Sequence, residues 1–400
     1  MPSGISYLRH DSSPPPPQLC AQINEDIRSN PILDSPYFDL VGHVENRVYC
    51  IHKIDYGDAL DETAAILDVG VKALLSEPLS PRIESPKGTF EIRKAGGRGF
   101  GMFALQDIPA GALILVERPI IVGPYIIGLG NYSESDIYAA LLRRLSPDTT
   151  ASFMALANCK PPSECDTIEG IMRTNGIAIN LSVPDVPHPE LSTHRAVFLN
   201  TSRCNHSCGP NAKWTWDPTS FSLSLAALRP ILAGDEITVT YMTPTHSFAE
   251  RRERLRAQYN FACHCAVCTH TTHSNAVPAS DAARAELRAF WARTPSFEAW
   301  CGDSSLPDHA LIDAHKRALL LIEQEGLQVL GCGRHLDAIA MGYGALRDVA
   351  QFRAWSGRAR ECRFAEERGD AVRVLERWID EPETFPVWGW RKSLKGSRRA

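Results

Sequence analysis

The stretch Thr201–Ala212 reads TSRCNHSCGPNA and holds more reactive and turn-forming side chains than packing alone requires. Cys208 offers a thiolate, and Asn205 and His206 form an Asn-His pair. The following Gly209-Pro210-Asn211 predicts a tight turn. Such a mixture indicates a binding or catalytic role for this part of the chain.

A second group of cysteines lies downstream in the string FACHCAVC, at Cys263, Cys265 and Cys268. Three thiols at C-x-C-x2-C spacing are one short of a tetrahedral zinc shell, and Cys208 is the candidate for the fourth ligand. The sequence therefore predicts a Zn2+ site that holds a downstream segment against the 201–212 stretch.

The composition describes a globular chain of two or three domains, with 400 residues of which 44% are apolar and 22% charged. A net charge of -5 argues against electrostatic nucleic-acid binding as the main activity. No secretion signal follows Met1, so the 12 cysteines indicate a reducing, intracellular compartment. The most apolar run, 113–129, is interrupted by Glu117 and Pro119 and predicts no membrane helix.

The N-terminal region predicts two different kinds of structure. Residues 1–35 contain a proline run without apolar periodicity and are expected to be flexible. From Asp58 to Pro78, apolar residues recur at three- and four-residue steps and predict an amphipathic helix. The positions that carry this pattern are Leu60, Ala64, Leu67, Val71 and Leu74.

A glycine-rich loop around residues 96–101 is followed by two predicted strands, 103–105 and 112–116, on either side of a turn. Its pattern is not that of a dinucleotide-binding loop. The apolar spacing between 132 and 157 then predicts two helices separated by Ser146-Pro147-Asp148.

The rest of the chain divides into a strand-rich part and a helical part. Cys159 and Cys165 have no nearby thiols or histidines and are not expected to bind metal. Short strands are predicted at 177–181, 195–199, 213–216, 221–225 and 236–241. Helices are predicted at 249–259, 310–325, 335–355 and within 361–379, before a basic, disordered tail at 392–400.

These motifs resemble the SET-domain protein-lysine methyltransferase family, in particular SMYD-like and related fungal SET proteins. The matching pieces are GGRGFGMFALQDIPAGALIL at 96–115, SRCNHSCGPN at 202–211, GDEITVTY at 234–241 and QYNFACHCAVC at 258–268. No MYND-type zinc module separates the two halves of the domain. The resemblance implies an α+β fold: a SET-type β-fold of small curved sheets with a helical insert, a post-SET zinc segment and an all-α C-terminal domain.

The resemblance also implies a domain order. It consists of a flexible segment (1–35), a helical or mixed extension (36–84), the SET domain (85–258) with its insert at about 130–168, the post-SET zinc segment (259–270), a helical domain (275–390) and a basic tail (391–400).

The family's functional residues can be carried over position by position. Tyr241 is the implied catalytic residue, which orients the substrate amine. The implied S-adenosyl-L-methionine site consists of Gly97, Arg98, Gly99, Asn205, His206 and Phe261, the last of which stacks on the adenine. Tyr259 and Asn175 are assigned to the substrate channel. Structural alternatives stay open for three of them: a turn role for Asn175, capping for His206 and packing for Phe261.

The implied function is S-adenosylmethionine-dependent methyl transfer to a lysine of a histone or non-histone protein, in the nucleus and/or the cytoplasm. The alternative is a catalytically silent SET module that binds a protein partner through its helical C-terminal domain. Membrane association and direct nucleic-acid binding are not expected. Cys204 has no implied role and is expected to be a small buried residue.

Overall fold

The computed structural model describes residues 37–39, 48–56, 61–68, 79–124, 133–181, 192–273, 276–366 and 370–396. The expected flexible segment, 1–35, lies outside these residues. None of the helices in the described ranges is long and apolar enough to cross a membrane.

The described strands are short and form three sheets. They are β1 (Tyr37–Asp39), β2 (Val48–Asp55), β3 (Glu62–Asp68), β4 (Phe90–Lys94), β5 (Phe100–Ala104), β6 (Leu113–Glu117), β7 (Ile121–Pro124), β8 (Ile177–Asn180), β9 (Thr193–Val197), β10 (Asn205–His206), β11 (Ala212–Asp217), β12 (Ser222–Ala227) and β13 (Glu236–Val239). The sheet orders are β1-β2-β3-β7-β9-β8, β10-β13-β5-β4 and β11-β12-β6. The strands predicted between 177 and 241 are confirmed, with shifted ends.

The four-stranded sheet positions the stretch that holds Asn205 and His206. β10 runs parallel to β13 and pairs His206 with Val239, while β13 runs antiparallel to β5. β4 and β5 form a hairpin whose loop contains Gly96 and Gly99 at φ values of 61° and 75°, a region that favours glycine. Cys204 is buried as expected, and its Sγ lies 3.6 Å from Sδ of Met102.

The prediction of a helix over 58–78 is wrong in the described part of that range. Residues Glu62–Asp68 form the strand β3 instead. It pairs with β2 and runs parallel to β7, so the N-terminal extension belongs to the same sheet as later strands. Ala64 and Ile66 pack in one core, and Ala65 and Leu67 pack in another. A strand buried on both faces reads as a continuous apolar run, which also contains helical spacings.

Twelve helices are described. They are α1 (Glu134–Leu142), α2 (Pro147–Met154), α3 (Thr167–Asn175), α4 (Phe248–Tyr259), α5 (Ala266–His273), α6 (Val277–Arg293), α7 (Phe297–Gly302), α8 (Ala310–Gln324), α9 (Gly333–Ala345), α10 (Val349–Glu366), α11 (Asp370–Asp380) and α12 (Trp390–Gly396). The two helices expected in the insert are α1 and α2, and α3 adds a third. Their apolar residues pack against β3 and β7 in one core.

The prediction of a helical C-terminal region is confirmed, but one of its helices is divided. The single helix predicted over 335–355 is interrupted, since α9 ends at Ala345 and α10 begins at Val349. Arg347 lies between them at a φ of 61°, and the Asp348 carboxylate accepts from the Gln351 amide at 3.0 Å. A left-handed residue followed by a capping aspartate ends one helix and starts the next.

The disorder predicted for the basic tail at 392–400 is wrong over 392–396, the part of it that the structure describes. Residues Trp390–Gly396 form α12, and Arg391 is fully buried. The Arg391 guanidinium donates to the carbonyl oxygens of Trp300 and Asp303 and to the Asp308 carboxylate. A buried, hydrogen-bonded arginine anchors this helix to the domain.

Candidate functional site

Four cysteine thiols converge on one point. The sulfur atoms of Cys208, Cys263, Cys265 and Cys268 all lie within 4.8 Å of one another. Sγ of Cys208 is 3.9 Å from that of Cys263 and 3.5 Å from that of Cys268. Tetrahedral zinc with Zn–S bonds of about 2.3 Å places its sulfurs roughly 3.8 Å apart. The four thiols therefore fit a zinc shell.

The local backbone explains how the three downstream thiols reach Cys208. Asn260 follows α4 in the left-handed region, at a φ of 57°, and ends the helix so that the chain turns back. The Cys208 amide donates to Sγ of Cys265, and the Cys265 amide donates to Sγ of Cys263, each at 3.4 Å. Hydrogen bonds of this kind orient metal ligands and stabilise thiolates.

Four rings pack together beside the cysteines. Tyr241 lies 4.9 Å from Tyr259 and 5.3 Å from His206 between ring centroids. Phe261 lies 6.3 Å from His206 and 6.5 Å from Tyr259. We call Tyr241, Tyr259, Phe261 and His206 the ring cluster. The ring cluster brings together side chains that are distant in the sequence: His206 and Tyr241 are 35 residues apart.

His206 connects the ring cluster to the cysteines. Its Nδ1 accepts from the Tyr241 amide at 3.1 Å, and its Nε2 lies 3.4 Å from Sγ of Cys208. Burial lowers the pKa of His206 to about 4, so the ring is neutral at pH 7. Because Nδ1 accepts a hydrogen, the single ring proton is on Nε2 and faces the Cys208 sulfur.

The Tyr241 hydroxyl is fixed by the backbone of the same stretch. It donates to the Cys204 carbonyl at 2.8 Å. Burial raises the pKa of Tyr241, so the phenol keeps its proton at neutral pH. The oxygen lone pairs that this hydrogen bond does not use can accept from a second donor.

The other side of the 201–212 stretch is held by a polar group centred on Glu236. One carboxylate oxygen accepts from the Asn205 amide at 2.7 Å, and the other pairs with Arg98 at 2.6 Å. Asn205 also donates to the Phe100 carbonyl at 3.2 Å. A Cβ on Gly101 would lie 2.7 Å from Glu236, so only glycine leaves room for this group.

The predicted glycines lie in the exposed loop beside this polar group. Gly97 and Arg98 belong to a short 3-10 turn, Gly96–Arg98, which Gly99 terminates. A Cβ added at Gly97 or Gly99 would meet no atom within 4 Å. The loop is therefore open on the side next to Arg98, Asn205 and Glu236.

Glu117 anchors the start of the 201–212 stretch. In the sequence, this residue was noted only as an interruption of an apolar run. Its carboxylate accepts from the backbone amides of Asn200 and Thr201 at 2.7 and 2.9 Å, and from both of their side chains. Burial raises the pKa of Glu117, while these four hydrogen bonds oppose that effect. They fix the 3-10 turn that leads into Cys204 and Asn205.

Asn175 is not positioned like the other candidates. It ends α3, is buried, and donates from its amide nitrogen to the carbonyls of Ala157 and Ile171 at 2.6 and 2.7 Å. Both amide hydrogens are thereby used. The backbone carbonyl of Asn175 accepts a hydrogen bond from the Ser202 hydroxyl at 3.3 Å, which links α3 to the 201–212 stretch. This geometry favours the structural alternative over a substrate contact.

The helical insert touches the end of α4 beside Tyr259. Lys160 donates to the Gln258 carbonyl at 2.8 Å, and Sγ of Cys159 lies 3.2 Å from Oγ1 of Thr174. We call Cys159 and Lys160 the insert latch. Sequence patterns did not point to it, since its partner Gln258 is 98 residues from Lys160.

Comparison with known proteins identifies the domain that carries this site. The model of the SET domain family matches residues 99–242. This part of the chain is similar to SET domains. The matched range contains Asn205, His206, Cys208 and Tyr241, and the other three cysteines lie after it, beyond α4.

Three relatives illustrate the similarity. Histone-lysine N-methyltransferase set5 of Schizosaccharomyces pombe is 30% identical over 180 residues, which cover 45% of this chain and 50% of that protein. Putative SET domain-containing protein L678 of Acanthamoeba polyphaga mimivirus is 27% identical, over 43% of this chain and 74% of its own. Protein-lysine N-trimethyltransferase SMYD5 of Gallus gallus is 39% identical over 75 residues, 18% of each chain.

The chain spans about half the length of the first of these relatives. Among solved structures, the Neurospora SET domain protein DIM-5, a histone lysine methyltransferase, matches 40% of this chain and 54% of its own, with 20% identity and a TM-score of 0.26.

Proposed function

We propose that this protein is an S-adenosylmethionine-dependent protein-lysine N-methyltransferase. The observation that carries the proposal is the hydrogen bond between the Tyr241 amide and His206, inside the range that matches the SET domain. It joins the implied catalytic tyrosine to the stretch implied to bind the cofactor. Relatives named as lysine methyltransferases support the same reaction.

The polar group beside the glycine loop fits the amino-acid part of S-adenosylmethionine. That part carries an ammonium and a carboxylate, and the sulfur carries a further positive charge. Glu236 offers a carboxylate, which contacts both the exposed guanidinium of Arg98 and the amide of Asn205. Complementary charges at an open glycine loop are suited to such a zwitterion. Phe261 adds an aromatic surface for the adenine.

When bound, S-adenosylmethionine supplies an electrophilic methyl group: a nitrogen–carbon bond forms as the carbon–sulfur bond breaks. The protein must present a neutral lysine amine in line with that methyl group. A free lysine has a pKa of about 10.4, so the site must favour loss of its proton to water. The apolar rings of Tyr241, Tyr259 and Phe261 disfavour the charged ammonium by limiting its hydration.

Tyr241 orients the amine in this proposal. Because its hydroxyl hydrogen is donated to Cys204, its oxygen presents lone pairs to an amine N–H. The amine lone pair is thereby turned toward the methyl group. The hydroxyl acts by position and partial charge, and no covalent intermediate on the enzyme is needed.

Zn2+ is part of the proposal as a structural metal. Cys208, Cys263, Cys265 and Cys268 would hold it, since four thiolates at these separations suit a closed tetrahedral site. A metal there ties Tyr259 and Phe261, which precede the cysteines, to the stretch that carries His206. The rings that line the methyl-transfer site thus depend on the metal for their placement.

The substrate in this proposal is a protein that presents a lysine side chain, either a histone tail or a non-histone protein. The names of the relatives support this class and a location in the nucleus and/or the cytoplasm. The helical region from α6 to α12 offers a surface for a protein partner.

Calorimetric titration of the zinc-loaded protein with S-adenosylmethionine, beside Asn205→Ala, tests the cofactor site. We expect micromolar binding by the protein and none by the variant. Radiolabelled methyl transfer to a peptide array, with Tyr241→Phe as the control, tests the reaction. Labelling should fall by about 100-fold or more in this variant, the loss typical of removing one transition-state hydrogen-bonding group. A folded, zinc-loaded protein that neither binds the cofactor nor labels any peptide would refute the proposal.

A further inference from the structure

Arg284 is a fully buried arginine at the point where the helical domain meets the candidate site. It lies on α6, and its guanidinium has an acceptor for each of its N–H hydrogens. Nη1 donates to the carbonyl oxygens of Cys208 and Pro244, and Nη2 donates to those of Cys208 and Glu325. Nε donates to the Glu325 carboxylate at 3.1 Å. A buried guanidinium whose hydrogens are all used is held in one orientation.

The first two carbonyls, of Cys208 and Pro244, belong to the two segments that carry the candidate site. Cys208 follows His206 by two residues, and Pro244 follows Tyr241 by three. Within the site, the bond from the Tyr241 amide to Nδ1 of His206, at 3.1 Å, joins these segments. Arg284 therefore adds a second bridge between the same two segments, from the side of the helical domain.

The segment after Tyr241 is held by α6 at a second point. The Phe248 amide, at the start of α4, donates to the Asp281 carboxylate at 2.7 Å. Asp281 precedes Arg284 by three residues, so the two side chains lie on one face of α6. One helix of the helical domain thus holds both ends of residues 244–248, which connect Tyr241 to α4.

The Gly209-Pro210 turn has a separate restraint. Arg229 donates to the carbonyls of Gly209 and Pro210 at 2.9 and 2.8 Å. Because Arg229 follows β12, these bonds hold the turn to its own, strand-rich domain. Arg284 instead connects the residue before the turn to the other segment of the site. The two arginines therefore have different roles.

We propose that Arg284 is a positioning residue for methyl transfer, so that the helical domain contributes to the catalytic geometry. By bridging the carbonyls of Cys208 and Pro244, Arg284 fixes the separation of their two segments. One segment carries His206 and the other carries Tyr241. Misplacing a reacting group by about 1 Å can lower a rate about 100-fold. This inference rests on the proposed function, in which Tyr241 orients the amine.

Arg284→Lys tests the inference, because lysine keeps a positive charge beside Glu325 but lacks the planar fork that spans both carbonyls. We expect the single-turnover rate of peptide methylation, at saturating S-adenosylmethionine and peptide, to fall about tenfold or more. The affinity for S-adenosylmethionine should stay within about twofold, since the polar group centred on Glu236 lies on the other side of the 201–212 stretch. Arg288→Met, at an exposed arginine on α6, is the matched control and should equal the parent protein.

Chemical rescue distinguishes positioning from a general loss of stability. The single-turnover rate of Arg284→Ala should rise about threefold or more in millimolar guanidinium chloride, because free guanidinium offers the same planar set of donors. A cleft lined by Ser280, Ala283 and Glu325 borders the vacated site and gives access to it. Sodium chloride at the same concentration should not raise the rate. If Arg284→Ala does not fold, the rate of Arg284→Lys alone decides.

The outcomes separate this inference from the proposed function. A zinc-loaded parent protein that neither binds S-adenosylmethionine nor labels a peptide contradicts the proposed function, and the inference with it. An active parent protein whose Arg284→Lys variant keeps the parent's single-turnover rate contradicts only the role of Arg284. Equal losses of rate and of cofactor affinity would show general damage to the fold and refute positioning. Loss of metal from the variant would also refute it, because Arg284 binds the Cys208 carbonyl.

Discussion

The backbone amide of Tyr241 donates to Nδ1 of His206 at 3.1 Å. This bond fixes the histidine tautomer and directs its Nε2 proton to the Cys208 sulfur, 3.4 Å away. A single neutral ring thereby connects the implied catalytic tyrosine to the four clustered thiols. We expect changes at the cysteine site to reach Tyr241 through this ring.

His206→Leu should therefore weaken two properties at once. We expect zinc to dissociate about tenfold faster, since the variant removes a hydrogen bond behind a metal ligand. Methyl transfer should also fall, because the Tyr241 amide loses its acceptor. Chelator-driven zinc release and single-turnover labelling measure the two effects. His264→Ala, which removes an exposed histidine between two of the cysteines, should leave zinc release unchanged; a similar acceleration there would contradict the specific role of His206.

Gly101→Ala should weaken cofactor binding while the fold is retained. The new Cβ would lie 2.7 Å from Glu236 and 3.0 Å from the Asn205 amide nitrogen, so both side chains must move. Calorimetric titration should show at least about a tenfold loss of S-adenosylmethionine affinity, the size expected when a close polar arrangement is displaced. Gly357→Ala on α10, where a Cβ meets no atom within 4 Å, is the matched control. Unchanged affinity in Gly101→Ala would show that the polar group does not bind the cofactor.

Lys160→Met should weaken the binding of the protein substrate more than the binding of the cofactor. The insert latch holds the end of α4 beside Tyr259 through the bond from Lys160 to the Gln258 carbonyl. Its loss should raise the KM for a peptide substrate by about threefold to tenfold, the usual net value of one hydrogen bond. The affinity for S-adenosylmethionine should not change.

Lys160→Arg should restore most of the effect, because the arginine keeps a cationic donor. Lys213→Met, at an exposed lysine on β11, should resemble the parent protein. Steady-state kinetics over a range of peptide concentrations distinguish a change in KM from one in kcat. A fall in kcat alone would argue against the positioning role of the latch.

A buried histidine pair in the helical domain predicts acid sensitivity. Nδ1 of His315 lies 3.0 Å from Nδ1 of His335, and Arg334 precedes His335 in the chain. Burial lowers the pKa of each histidine to about 4. A second effect is electrostatic: His335 lowers the pKa of His315, and Arg334 lowers the pKa of His335. Because the unfolded state binds protons more readily, the contribution of this pair is present above about pH 6.5 and is lost as the pH falls toward 4.

His335→Gln should reduce this pH dependence. The free energy of unfolding, measured by urea denaturation at several pH values between 7.5 and 4.5, should fall less steeply with pH in the variant. Acid release of a metal affects both proteins alike and cancels in the comparison. Parallel curves for the two proteins would contradict the prediction.

The sequence predicted that four cysteines form one group, because thiols at these spacings have few other uses, and the structure brings them together. It failed at Glu62–Asp68, since an apolar run buried on both faces contains helical spacings as well. Glu236 was missed because its partners Asn205 and Arg98 are 31 and 138 residues away.

The contact between Arg284 and the Cys208 carbonyl has a consequence for synthesis on the ribosome. Cys208 emerges long before Cys268, and Arg284 and its partner Glu325 follow later still. Domains fold as the chain leaves the ribosome, N-terminal parts first. Until the segments that carry Arg284 and Glu325 have been translated, the Cys208 carbonyl of the nascent chain therefore lacks the hydrogen bonds that Arg284 donates.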